Sequence, residues 1–430
     1  MKKISILLPI LLALTMLQGC SGGGTTTSAV GSSTVRLLNA TTNYASLDMT
    51  SSGAAVASIA SAVTASNVSS YATVTSGNST FSLASAGTGT PAAQTSFSLS
   101  SNIAYTIVAY TSGQQLQAIP IPDNEVAPAS GNGKIRVLNL SPDAGSVDFY
   151  LTTVGSALSA VSALSKNINM GTTGYSEVAK GSYHLGITGA GNLTDVRLDL
   201  PSITLNDQQI LTLILTSTSG GVLVDGLLVN QQGAASAQKN GSARIRVAAN
   251  IAANGSVTAT ANGVSLGATL RSPVLGSYTL VPAGALTMNV QVNGAPVTVS
   301  NLNATAGADL TLLSAGTVAA PQFFLLNDDN RLPNAGLTKV RLVNGVNGLN
   351  GDTISLNADY SQLAYNLAFG AVSNPISVNA GIVTRLEVNS LQGNTSLYLT
   401  NNVSFLSPGV YSVFMLGDTT TPVGFVRRDH

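Results

Sequence analysis

Residues able to do chemistry are sparse in this sequence, and their spacing limits what they can do. The two histidines are His184 and His430. A serine-histidine-acid relay needs an imidazole poised beside a hydroxyl. His430 is the final residue of the sequence, and His184 lies in Gly181-Ser-Tyr-His-Leu-Gly, where a satisfied strand histidine is the plainer reading. Two imidazoles and a single cysteine, Cys20, leave no multi-histidine or thiolate zinc site and no disulfide within one chain. Glycoside hydrolysis asks for two carboxyl groups about 5 to 10 Å apart. Asp48 and Asp148 occupy equivalent places in different repeats, Asp195, Asp199, Asp207 and Asp225 are scattered, and the glutamates are only Glu125, Glu177 and Glu387. Gly131-Asn132-Gly133-Lys134 carries the Gly-Lys of a phosphate loop, but Ile135 stands where Ser or Thr is needed, so it reads as a linker. The expectation is a protein without catalytic residues, metal or cofactor, and not an enzyme.

Two polar groupings have binding potential. Asp123-Asn124-Glu125 and Asn327-Asp328-Asp329-Asn330 supply the oxygen ligands calcium takes, at places that read as junctions. The plainer account is that Asp and Asn make the turns there. Sugar binding would use exposed aromatic platforms. The chain has no tryptophan; Tyr71, Tyr175 and Tyr278 belong to a repeat, which argues for packing, while Tyr44, Tyr150, Tyr183, Tyr360 and Tyr365 are less constrained.

The elements that carry these residues are organised by the stretch Lys134 to Leu151. It reads as a strand (134–139), a Ser-Pro-Asp-Ala-Gly turn (141–145) and a second strand (146–151). Its first strand recurs as Val35-Arg36-Leu37-Leu38-Asn39, Ile135-Arg136-Val137-Leu138-Asn139, Ile245-Arg246-Val247-Ala248-Ala249-Asn250 and Val340-Arg341-Leu342-Val343-Asn344. A second marker follows each: Tyr71-x-x-Val74-x-x-Gly77, Tyr175-x-x-Val178-x-x-Gly181, Tyr278-x-x-Val281-x-x-Gly284 and Pro375-x-x-Val378-x-x-Gly381. Two markers that keep their separation through four copies define an internal repeat. Between the markers lie short runs of Val, Leu, Ile and Thr broken by Gly, Asn, Ser and Asp, the texture of strands and turns. Residues 54–65 could be a short helical or irregular insert. The fold class expected is all-β, with four tandem immunoglobulin-like β-sandwich modules at 34–128, 129–233, 234–334 and 335–430, each long enough for its own core. Strand alternation turns Arg36, Arg136, Arg246 and Arg341 away from the innermost side chains. Their expected role is structural pairing, and in the first two modules Asp48 and Asp148 stand where they could face them.

Ahead of the modules, Lys2 and Lys3 precede an apolar run from Ile4 to Leu17 that closes on Leu17-Gln18-Gly19-Cys20. The run is short for a transmembrane helix, and small Gly19 before Cys20 suits a cleavage site. The pattern resembles the bacterial lipobox, which implies a signal peptide over 1–19 and acylation of Cys20. At about 0.8 kcal/mol per buried methylene, several acyl chains make a stable anchor. Ser21 is not the aspartate associated with inner-membrane retention, so the expectation is an outer-membrane lipoprotein. Residues 20–33 then form a Gly/Ser/Thr tether. Charged residues are 8% of the chain and the formal net charge is zero, which gives no electrostatic footprint for nucleic acid.

From Arg136 to Tyr150 the sequence R-V-L-N-L-S-P-D-A-G-S-V-D-F-Y resembles the family called domain of unknown function 4397. That family's pattern is similar to R-V-(V/L)-(H/N)-x-S-P-D-A-x-x-V-D-(V/F)-Y followed by the tyrosine-valine-glycine marker. The second module matches nearly throughout, the first lacks Ser-Pro-Asp, and the last two keep the first strand and the glycine marker. The resemblance implies a repeated β-sandwich module on secreted or surface bacterial proteins and carries over no activity.

These readings favour a lipid-anchored, non-enzymatic envelope protein, surface-facing or periplasmic, whose modules form a rod that projects a binding or adhesive face. A glycan-binding or polysaccharide-handling auxiliary protein is the alternative, and a hydrolase with an unrecognised carboxylate pair the third.

Overall fold

The computed structural model describes residues 31–430 except 53–56, 114, 301 and 394. Cys20 and the leader lie outside the described residues. The chain is all-β and repeats one sandwich plan. In the first module the strands Ala72–Thr75, Ser32–Asn39, Ala104–Ser112 and Gln115–Pro122 form one sheet in that spatial order. Ala57–Thr64, Ser46–Ser52, Gly77–Ser85 and Ala93–Leu99 form the facing sheet. The first strand runs parallel to the seventh, with Leu37 opposite Ile107, and antiparallel to the fourth. The same parallel pairing returns as Asn132–Asn139 with Ile210–Ser217, Ser242–Ile251 with Asp309–Gly316, and Leu337–Asn344 with Gly409–Gly417. The first, fourth, seventh and eighth strands thus share one sheet, a different division from the ABED and CFG sheets of an immunoglobulin constant domain.

Each sandwich closes over its own core, such as Leu37, Met49, Phe81, Leu83 and Ile107 in the first. The arginine-bearing sheets are buried on their other face as well. Leu38, Val108 and Ile121 of the first module pack against Leu138, Ile214 and Leu227 of the second. Ala248, Leu313 and Leu326 of the third pack against Val343, Phe414 and Leu416 of the fourth. A strand buried on both faces needs a near-continuous apolar run, which is why Leu37-Leu38 and Leu342-Val343 replace strict alternation. Burial of each such side chain contributes about 1.5–3 kcal/mol. The modules are therefore joined face to face, first to second and third to fourth, and are not strung out as the rod that repeat reading suggests.

Two local expectations change. Ala57–Thr64 is a bulged edge strand with Ala62 at φ 50°, not a helical insert. Ala235–Gln238, at the start of the segment 234–334, pairs with Val224–Asn230 and so extends the second module's sheet. The second module also has a longer seventh-to-eighth hairpin, whose tip docks on the third. Gly220 N–H donates to Gly307 O (3.0 Å) and Gly220 O accepts from Asn330 N (3.1 Å). A Cβ on Gly220 would sit 2.4 Å from Asp309 N, so glycine is required by the approach.

Candidate functional site: arginine latches between modules

The repeated arginine projects from the middle of each first strand into the interface between paired modules. Its Nε donates to a hydroxyl on the neighbouring seventh strand: Arg36 to Thr106 (2.8 Å), Arg136 to Thr212 (3.0 Å), Arg246 to Thr311 (2.9 Å) and Arg341 to Ser412 (2.6 Å). The marker tyrosine stacks on the guanidinium, with Tyr71, Tyr175 and Tyr278 rings centred 4.9, 4.3 and 4.4 Å from the Cζ of Arg36, Arg136 and Arg246. Pro375 takes that place in the fourth module. The tyrosine was legible as a packing residue; what it packs on is the arginine.

An aspartate at the end of the eighth strand completes the set. Asp123 Oδ2 accepts from Tyr71 Oη (2.6 Å) and Thr106 Oγ1 (2.5 Å). Asp328 Oδ2 accepts from Tyr278 Oη (2.5 Å) and Thr311 Oγ1 (2.5 Å). Asp429 accepts from Ser412 Oγ (2.5 Å). Hydroxyl and acid are 17 residues apart in all three. That constant offset was a signal available in the sequence, overlooked because Asp123 and Asp328 read as turn formers or calcium ligands. In the second module the longer hairpin shifts the register, and Gln231 stands at this place, exchanging two hydrogen bonds with the Glu125 backbone (3.0 and 2.8 Å).

Between the third and fourth modules the two sets interlock. Arg246 reaches Asp429 (2.5 Å) and Asp328 (3.3 Å), while Arg341 reaches Asp429 and Asp328 (3.1 Å each). All four side chains are at most 2% exposed. Asp328 Oδ1 lies at ion-pair distance from Arg341 without hydrogen-bond geometry. Burial disfavours both guanidinium ions, yet the Tyr278 oxygen and the two carboxylates hold them charged. Burial likewise pushes the Asp429 carboxyl up, but Arg246 and Arg341 overcome it and leave its pKa below the usual value. Between the first and second modules the latch is half neutral: Arg36 donates to the carbonyls of Gly233 (2.5 Å) and Asn230 (3.3 Å).

A one-residue difference re-aims a second latch. Asn39, Asn139 and Asn344 stand three residues after their arginines and face their own sandwich, where each amide oxygen accepts a backbone N–H two residues on. In Arg246-Val-Ala-Ala-Asn250 an added residue puts the asparagine on the arginine's face, because side chains alternate with period two. Asn250 Nδ2 donates to Gly345 O (2.6 Å) and Gly417 O (2.8 Å), and its Oδ1 accepts from Gly417 N (2.7 Å), all in the fourth module.

The remaining singled-out residues have other partners. Asp48 and Asp148 do not face the arginines. Asp48 accepts from Ala62 N (2.7 Å) and Gly87 N (2.9 Å), and Asp148 from Asn167 N (2.8 Å) and Gly191 N (2.9 Å), across a bulge in the neighbouring strand. His184 bridges Asp199 Oδ1 (2.6 Å) and Ser156 O (2.8 Å); burial opposes its charge, but these two acceptors raise its pKa. The other junction carboxylates meet cations: Glu125 pairs with Lys134, and Asp329 with Arg331 (2.8 Å) and Lys339 (2.9 Å). Among the described residues no group of three His, Cys, Asp or Glu side chains is placed to hold a metal ion. The Ser-Pro-Asp-Ala-Gly turn folds as a short 3-10 turn over Pro142–Ala144, and Asp143 Oδ1 accepts from Leu332 N (2.6 Å) in the linker to the fourth module.

The architecture and the latches define a multi-module β-sandwich protein whose recurring polar residues hold module to module. A family model described as "Domain of unknown function (DUF4397)" matches residues 33–150 and 243–350, more than half of the chain, and the chain belongs to that family. Each matched span runs from the arginine strand of one module through that of its paired partner. No curated protein matches the sequence. Among solved structures, "The Bacillus anthracis TIE protein" is 9% identical with a TM-score of 0.15, covering 91% of this chain and 68% of that one. The "Product complex of a multi-modular glycogen-degrading pneumococcal virulence factor SpuA" is 8% identical with a TM-score of 0.16, covering 86% and 37%. "The fimbrial anchor protein Mfa2 from Porphyromonas gingivalis" is 9% identical with a TM-score of 0.14, covering 69% and 97%. Scores this low carry no functional argument.

Proposed function

We propose that the chain is a non-enzymatic, lipid-anchored scaffold of the bacterial cell envelope, held to the outer membrane through acylated Cys20, whose modules act in binding or adhesion. The observation that supports this reading most is the fate of the recurring polar residues. Arginine, tyrosine, hydroxyl and aspartate are the side chains a repeated active site would use, and in this fold they fill module-to-module joints. Joints of this kind keep paired modules in one orientation, so that loops from different modules present a fixed surface. Variation then belongs in those loops, as in other sandwich folds where a rigid frame displays them.

Two measurements test the reading. Labelling cells with an alkyne palmitate analogue should tag the wild-type protein and leave Cys20→Ser untagged. Protease applied to intact cells should cut the protein if the modules face outward; cleavage only after permeabilisation would reject surface display. An untagged wild-type protein would reject the anchor.

A further inference from the structure

One candidate for a ligand site is a cleft of about 340 Å³ where the first two modules meet the linker to the fourth. Its apolar surface comes from Leu140, Leu332 and Pro333, with the Tyr110 ring beside them. Its charged groups already have partners. Asp143 accepts from Leu332 N (2.6 Å), Arg331 is bidentate to Asp329, and Lys339 donates to Arg331 O (2.7 Å) and Asp329 (2.9 Å). An anion would have to compete with Asp329 for both cations, and a cation with the donors on Asp143. The groups left over are neutral: Thr111 Oγ1 is buried without a hydrogen-bond partner among the described residues, and Gln115, Asn334 and Ser377 are exposed polar side chains on the rim.

We propose that this cleft binds the end of a neutral glycan. Hydroxyl and amide groups that can both donate and accept suit sugar hydroxyls, and the Tyr110 and leucine surfaces suit the C–H face of a pyranose ring. The volume is at the lower end of ligand pockets and takes one or two rings. The inference rests on the binding-scaffold reading and adds the chemical class of ligand. It also places recognition at a junction built by the linker and the Ser-Pro-Asp-Ala-Gly turn, so the assembled chain is required.

Saturation-transfer NMR on the full mature chain tests it, with glucose, galactose, mannose, N-acetylglucosamine and cellobiose as probes at about 10 mM, a concentration that detects millimolar affinity. At least one sugar should receive transfer, and Gln115→Ala/Asn334→Ala should weaken its binding at least tenfold with an unchanged melting temperature. Because all these positions are exposed, Ser377→Ala serves as a second, milder variant if the double variant fails to fold. Tyr360→Ala/Tyr365→Ala, which alters exposed aromatics of the fourth module, should leave transfer unchanged. No transfer to any probe would overturn the proposal. So would transfer that survives the cleft variants, transfer lost with the two tyrosines, or transfer abolished by inorganic phosphate. A chain that is acylated and exposed on cells yet takes no sugar would sink this proposal alone.

Discussion

Arg246 and Asp429 are 183 residues apart and belong to different sandwiches, yet their Nη1 and Oδ1 atoms lie 2.5 Å apart in a fully enclosed interface. The same carboxylate meets Arg341, so Asp429 is shared by two guanidinium groups. A buried ion network of this kind adds little net stability compared with a well-packed apolar replacement, but losing one member is severe because charge is stranded. Asp429→Ala is therefore expected to destabilise by about 3–5 kcal/mol. Thermal or denaturant unfolding should show the loss in the transition of the third and fourth modules. Replacing the network together, with Arg246→Met, Arg341→Met, Asp328→Leu and Asp429→Leu, should recover most of it. Equal destabilisation by the single and the combined changes would contradict this account.

Asn250 supplies a second, independent joint in the same interface. Asn250→Ala takes the partner from the half-buried Gly417 N–H and the buried Gly345 carbonyl, while Gly417 O keeps its bond from Asn347 N (3.0 Å), which should cost about 1–3 kcal/mol. Deleting Ala249 instead should turn Asn250 toward its own sandwich, as in the other copies, and weaken the pairing without removing a polar side chain. Proteolysis of the linker 329–336, monitored against wild type, reads out the loosened pair.

The arginine repeats, the sandwich class and the tyrosine marker were all legible because each follows from spacing along one module. What the arginine touches was not. Part of its contact set comes from a second module, and strand alternation reports only that Arg36 or Arg246 faces away from its own core. It does not say that another sheet covers that face. The apolar residues flanking the arginines, Leu38, Leu138 and Val343, were the available hint, since a face open to water has no need of them. Asp48 and Asp148 misled for the opposite reason. Their even placement beside Leu47 and Val147 fits a cross-strand ion pair, while their actual acceptor role depends on a bulge that no residue pattern announces.

Acid should loosen the joint beside the linker. Burial opposes ionisation of Asp329, but hydrogen bonds and charge from Arg331 and Lys339 lower its pKa from 3.8 to about 2. A carboxyl whose folded pKa lies below its unfolded value contributes stability above the unfolded value, and that contribution is lost as pH falls through the folded one. The melting temperature should hold its value above pH 4 and then fall toward pH 2. Asp329→Asn should melt lower at neutral pH and show a shallower fall across that window. A wild type and variant with parallel profiles would remove Asp329 from the cause.

The bulges make a last prediction whose two arms have opposite signs. In the first module two residues, Ser61 and Ala62, oppose Asp48, and Ala62 adopts φ 50°. In the second module Lys166 and Asn167 oppose Asp148 in the same way, with Asn167 at φ 52°. Asparagine tolerates the left-handed region, whereas alanine pays roughly 1–2 kcal/mol to enter it. What holds Ala62 there is its N–H bond to Asp48, and the Gly87 N–H bond on the other carboxylate oxygen ties the bulge to the next hairpin. Asp48→Ala should consequently destabilise the first module, and Asp148→Ala the second, by about 2–3 kcal/mol each, since both remove charge-assisted bonds to backbone donors. Ala62→Gly should stabilise the first module by up to about 1 kcal/mol, with glycine's freer unfolded chain offsetting part of the relieved strain. In the Asp48→Ala background the glycine should gain less, because the strained conformation is no longer enforced. Additive effects in that double-mutant cycle would mean that Asp48 does not impose the bulge.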